Sequence, residues 1–232
     1  IISIAGDIDH DEIYEAVHEQ TKSWTGDSAK PTETTMPARG LHHIEQDTSQ
    51  VHVGLAFDAP SANDESSILE RVAISIFGGA TSGRLFTEVR QKRSLCYSVH
   101  AQYQSSKENS TVRVSAGTTP ERATETVDVV LDQLALLREG VTKAEFDRTI
   151  TRLRAATVMQ GESTAARAKS LLGDQYATGK TRTLKDRLDE LSAVSLDAVN
   201  HYLKTRETGA MTLVFLGSTE LRVDESRVLG TA

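Results

Sequence analysis

Cysteine is almost missing from this sequence: Cys96 is the only one in 232 residues, which excludes an internal disulfide and a cage of zinc thiolates. Positive charge is in deficit, with 26 basic residues against 33 acidic ones and a formal charge of −7. No global positive field exists to draw nucleic acid or an anionic membrane surface. Long apolar runs are lacking too: none approaches the roughly 18 residues that cross a bilayer, and no basic stretch leads into an apolar one as in a secretory leader. Glycine and proline are modest, at 15 and 4, and the 38% hydrophobic and 25% charged composition suits an ordinary globular chain. At this length such a chain buries most of its surface without staples. The expectation is a soluble protein of the cytoplasm or periplasm, with no nucleic acid and no membrane as partner. An initiator Met is also lacking, and the opening IISIAGDID reads as part of a longer polypeptide.

What is present alternates between two periodicities. Residues 1–5 predict a buried strand, and residues 9–24 a helix capped by Asp9 with Ile13, Val17 and Trp24 on one face. The stretch 25–39, rich in Ser, Thr and Pro, predicts a connector between this opening unit (1–24) and a main body (40–232) of the same domain. Strands are expected at 40–46 and 50–57, the second alternating Val51, Val53, Leu55 and Phe57 with a period of two. A helix over 65–77 should stop at a left-handed glycine in Gly78–Gly79, and another helix should run over 82–92. Further strands are expected at 95–104 and 110–116. Then come a helix with the stripe Ala123, Val127, Val130, Leu131, Leu134 and Leu137, a second opened by a Thr142–Glu145 capping box, and three shorter ones at 163–177, 182–191 and 195–205. A last strand covers 211–216. This order predicts an α+β fold with a mostly antiparallel sheet and helices packed on one face. The runs SIAGDID and VFLGSTE echo each other, as if one module ended where the chain opens and a similar one where it closes.

The most informative stretch is GGATSGRLFTEVRQKRSLCYSV, residues 78–99. It resembles the non-catalytic half of M16 peptidases, the insulinase- and mitochondrial-processing-peptidase-like (LuxS/MPP-like) family. Their pattern is a glycine-rich bend, Ser-Arg-Leu-Phe, then Val-Arg-Glu-Lys-Arg-Gly-Leu-Ala-Tyr-Ser-Val. Gly83, Gln91, Ser94 and Cys96 depart from it. The likeness continues through AGDID, HVGLAFDAP (52–60), GVTKAEFDRTITRL (140–153) and GES (161–163). In that family two such halves face each other across a chamber, one holding zinc through HxxEH and the other supplying an Arg and a Tyr seven residues apart. Arg90 and Tyr97 stand at that spacing. The resemblance therefore implies a substrate-binding half with no metal ligands of its own, zinc in a partner half that is fused or separate, and a peptide substrate. It casts Arg90 as a holder of peptide carbonyls and Tyr97 as a donor to the scissile carbonyl oxygen. The glycine bend is shorter than the long glycine-rich loop of the processing peptidase's non-catalytic subunit.

Plainer readings stand beside these. Arg90, with Arg84, Lys92 and Arg93 nearby, also suits a solvated helix face, and Tyr97 a wet strand edge. His42, His43 and Glu45 approach an inverted zinc motif, but Gln46 takes the second ligand position and a strand would split the side chains between faces. His10 and His18 suit surface positions. The turn 78–85 imitates a phosphate loop without its Lys and Ser/Thr. Cys96 and His100, four apart on a strand, should share a face, yet packing explains the cysteine better than catalysis. The rivals to the peptidase half are a scaffold, like the core proteins of the respiratory bc1 complex, and a self-contained zinc enzyme built on His42, His43 and Glu45.

Overall fold

The computed structural model of the chain describes residues 1–27, 38–218 and 220–230. Five strands form one sheet: β1 (Gly40–Glu45), β2 (Val51–Ala59), β3 (Cys96–Gln104), β4 (Ser110–Thr118) and β5 (Thr212–Gly217), in the order β1-β5-β2-β4-β3. Only the β1–β5 pairing is parallel; β2–β5, β2–β4 and β3–β4 are antiparallel. Alternation assigns the faces. Val51, Val53, Leu55 and Phe57 of β2, Val112 and Val114 of β4, and Leu213 and Phe215 of β5 are buried, while His52, Arg113 and Ser115 are exposed.

Helices α2 (Ser67–Gly78) and α3 (Ala123–Arg138) lie on the buried face; α4 (Lys143–Gly161) packs against α2 and α7 (Leu196–Thr205) against both, with α5 (Thr164–Thr178) and α6 (Leu184–Ala193) beside α4. The expected stripe of α3, from Ala123 to Leu137, is buried in full. Thr142 and Glu145 form the expected capping box of α4. The fold is thus α+β with a mostly antiparallel sheet, as the periodicities indicate. A short helix α8 (Ser226–Leu229) closes the described chain and carries no sequence signal strong enough to predict it.

Four expectations need correction. Residues 1–5 form no strand; Ile1 and Ile2 are 74% and 59% exposed, and the run lies with Leu171 and Leu172 of α5 along a cleft. Apolar character alone does not make a strand without a neighbouring edge to pair with. Helix α1 (His10–Thr21) is capped by Asp9 Oδ1, which accepts from the Asp11 and Glu12 amides at 2.9 and 3.1 Å, but it ends before Trp24. Helix α2 does not stop on a left-handed glycine, since Gly79 has φ −78°. Glycine serves there for closeness: a Cβ on Gly78 would come within 2.8 Å of the Ala101 amide nitrogen in β3. The helix expected over 82–92 is a π-helix at Phe86–Gln91. The connector 25–39 lies largely outside the described residues.

Candidate functional site

Arg90 and Tyr97 flank the junction between the π-helix and β3, and that junction is unusual at each step. The wider π spiral shows in the Lys92 amide, which donates to Thr87 O at 2.9 Å, five residues back. Such turns are rare and gather at functional sites. Ser94 follows with φ 53°, left-handed geometry at a residue that is not glycine. The Leu95 amide then bonds back to Val89 O at 3.0 Å, and β3 begins.

β3 opens on a bulge. Cys96 pairs with Thr118 and Ser98 with Gly117, which leaves Tyr97 as the extra residue. Its side chain is 62% exposed. The bulge shifts the alternation, so Cys96, Val99 and Ala101 are buried while Tyr97, Ser98 and His100 face solvent. Cys96 and His100 therefore lie on opposite faces, against the even spacing of a regular strand. Burial pushes the Cys96 thiol up, and the nearby Arg90 charge pulls the other way.

The bonds fixing this junction come from elsewhere in the chain. Arg122 Nη1 donates to Ser94 O at 2.6 Å, and the Thr118 hydroxyl donates to Leu95 O at 2.5 Å. Neither residue carries a motif, and no spacing in the sequence would have singled them out.

The basic residues around Arg90 separate by partner. Lys92 and Arg93 both bond the Glu88 carboxylate, at 2.7 and 2.9 Å, and hold it below its ordinary range. Arg84 is on no solvated face: its Nε donates to Glu145 at 2.6 Å and its Nη2 to Gly140 O at 2.8 Å. The Arg90 guanidinium forms no ion pair or hydrogen bond among the described residues, although its backbone carbonyl accepts from the Ser94 amide at 3.1 Å. Arg90 lies over the Phe86 ring with its guanidinium carbon 5.0 Å from the centroid, a cation–π contact that uses the ring face and consumes none of its N–H donors.

The residues that mimic a zinc motif do not converge. His42 and His43 alternate along β1; the His43 ring meets Gly217 O at 2.9 Å and the His42 ring Ala38 O at 3.3 Å. Among the described residues no three His, Cys, Asp or Glu side chains group closely enough to hold a metal ion, so this donor set does not fit zinc.

With this geometry in place, comparison with known proteins becomes informative. A sequence profile described as "Peptidase M16 inactive domain" matches residues 1–153. The chain belongs to the M16 peptidase family as an inactive domain. Among relatives of this M16 domain, the uncharacterized zinc protease Rv2782c of Mycobacterium tuberculosis is 29% identical over 226 residues, covering 92% of this chain and 51% of that protein. The uncharacterized zinc protease YmxG of Bacillus subtilis is 26% identical, covering 86% and 49%. The M16 domain thus spans about half the length of the curated relatives it matches. Among solved structures, a peptidase M16 inactive domain from Pseudomonas fluorescens superposes with a TM-score of 0.79 at 21% identity, covering 94% of this chain and 54% of that one. Complex III2 from Candida albicans gives the same score at 17% identity, with 96% and 56% covered. These likenesses establish the fold. No helix among the described residues is long and apolar enough to cross a membrane.

Proposed function

We propose that this M16 domain is the substrate-binding half of a zinc metallopeptidase, working opposite a zinc-bearing HxxEH half in the same polypeptide or in a separate subunit. Residues 40–232 are its main body and residues 1–24 an opening unit. The observation that carries the reading is the state of Arg90: alone among the cations of its turn it has no carboxylate partner among the described residues, on a π-helix that comes just before the bulged, exposed Tyr97.

Each residue has a distinct task. The Arg90 guanidinium stays charged and presents a planar fork of donors, suited to holding carbonyls of an extended peptide in register. The Tyr97 hydroxyl donates to the scissile carbonyl oxygen as it gains negative charge, a bond that strengthens towards the transition state. The hydrolytic chemistry belongs to the zinc-bearing half, and this domain alone is expected to hydrolyse nothing.

The test is peptidase activity of the full-length protein, or of this chain with its zinc-bearing partner, on an unstructured peptide library, comparing wild type with Tyr97→Phe and Arg90→Ala. The expected result is turnover reduced about 10²–10³-fold by Tyr97→Phe and a raised KM for Arg90→Ala, with zinc content unchanged. Unaltered turnover in both variants would remove these residues from the mechanism and favour a scaffold role.

A further inference from the structure

Away from Arg90 and Tyr97, four arginines gather where α2, α4, α5 and α6 meet. Arg71, Arg167, Arg182 and Arg187 line a cavity of about 260 Å³ whose only lining carboxylate is Glu190. Arg182 and Arg187 are occupied. Both bond the buried Asp174 carboxylate at 2.6 Å, and Arg182 also reaches Glu190 at 3.0 Å. The Arg71 and Arg167 guanidiniums have no hydrogen bond or ion pair among the described residues. Four guanidiniums thus meet two carboxylates in a chain whose formal charge is −7, and the excess positive charge is focused in a concave site.

Arg71 sits at the cavity mouth with part of its side chain open to solvent. The protein packed around it, then the charges of Arg182 and Arg187, lower its pKa, while Tyr103 and Glu190 pull the other way. An arginine nonetheless remains protonated. An anion placed between these groups offsets the mutual repulsion and meets donors already arranged.

The rest of the lining decides what kind of anion fits. Ile68, Leu171, Leu184 and Leu191 supply apolar walls. Leu184 is 38% exposed and has room because residue 161 is glycine, where a Cβ would come within 3.1 Å of Leu184 Cδ2. A bare phosphate makes no use of such walls, whereas a guanidinium fork matches a planar carboxylate and the leucines match an aliphatic group beside it. We infer that this cavity binds an aliphatic monocarboxylate, either the C-terminal residue of a peptide or a free fatty acid. Neither Arg90 nor Tyr97 lines it, so the inference stands apart from the peptidase reading.

The test is calorimetric titration of the full-length protein with N-acetyl-leucine, N-acetyl-leucinamide, decanoate and inorganic phosphate. Saturable binding of a carboxylate is expected, with the amide weaker by about tenfold or more, since a charge-assisted pair is lost. N-acetyl-leucine binding assigns the site to peptide termini; decanoate binding without it assigns fatty acids. Arg71→Met should weaken the carboxylate about tenfold at an unchanged melting temperature, and Arg71→Lys less, because charge is kept and the fork lost. Should Arg71→Met not fold, Arg167→Met on α5 gives the same reading. Equal affinity for acid and amide, phosphate binding as tightly as either carboxylate, no carboxylate binding, or undiminished binding in a folded variant overturns the inference.

Discussion

Arg84 Nε donates to Glu145 Oε1 at 2.6 Å across 61 positions of sequence and fastens the glycine-rich turn to the first turn of α4. The same carboxylate accepts from the Thr142 amide and hydroxyl, both at 2.8 Å, so one side chain closes a helix cap and an inter-element bridge together.

Burial works to raise the Glu145 pKa, but the bonds from Arg84 and Thr142 outweigh it and hold the group at about 2 instead of 4.5. The folded pKa is depressed, so the stabilisation is complete above the unfolded value near 4.5 and is lost as pH falls through about 2. Glu145→Gln should lose about 2 kcal/mol at neutral pH and flatten the acid limb of the stability curve between those values. Urea unfolding at a series of pH values checks both. An unchanged acid limb would show that Glu145 is not responsible.

Glu70 on α2 is fully buried and bonded to Tyr202 at 2.8 Å and to Arg206, whose guanidinium carbon lies 5.0 Å from the Phe57 ring centroid. Glu70→Ala leaves Arg206 without its counter-charge in an apolar setting and should cost about 3–5 kcal/mol. Removing only the tyrosine hydroxyl, with Tyr202→Phe, should cost about 1–2 kcal/mol. Denaturant midpoints rank the two, and equal losses would contradict a charge-based account.

Ser94 pays for its left-handed backbone at φ 53°, where glycine incurs no Cβ penalty. Ser94→Gly should therefore be neutral or stabilising by up to about 1 kcal/mol, the steric relief being partly offset by the greater freedom of glycine in the unfolded chain. A clear drop in melting temperature would show that the serine side chain contributes more than the backbone geometry reveals.

Arg122 bonds Ser94 O from an exposed position and so acts on Tyr97 only through the backbone. Arg122→Ala should change stability by no more than about 0.5 kcal/mol and, on the proposed peptidase reading, lower kcat of the full-length protein by less than Tyr97→Phe does. Unaltered kcat would mean that the other bonds at the junction suffice to hold the tyrosine.

The sequence made the α3 stripe, the Asp9 and Thr142 caps and the alternation of β2 legible, because each depends on residues within a turn or two of one another. Arg90 and Tyr97 stood out as candidates for a different reason, the density of the motif over 78–99. Their geometry was not legible. The π-helix and the bulge depend on bonds from Thr118 and Arg122, more than twenty residues downstream, and a shift of one residue decides which side of the strand Cys96 faces. The charges behaved likewise: Glu70, next to Arg71 in α2, gives no hint of partners 132 and 136 positions away.

The placement of β5 has a kinetic consequence. It lies between β1 and β2, so the last of the five strands in chain order is the keystone of the sheet. Until Thr212–Gly217 is available, β1 has no ladder partner, and β2 presents a bare edge of nine residues through the synthesis of some 150 more. Closing so distant a pairing carries a loop-entropy cost that local helices do not face. The late-arriving strand thus makes the nascent chain most prone to edge-to-edge aggregation just before residues 212–217 emerge, and a chaperone would be needed most there.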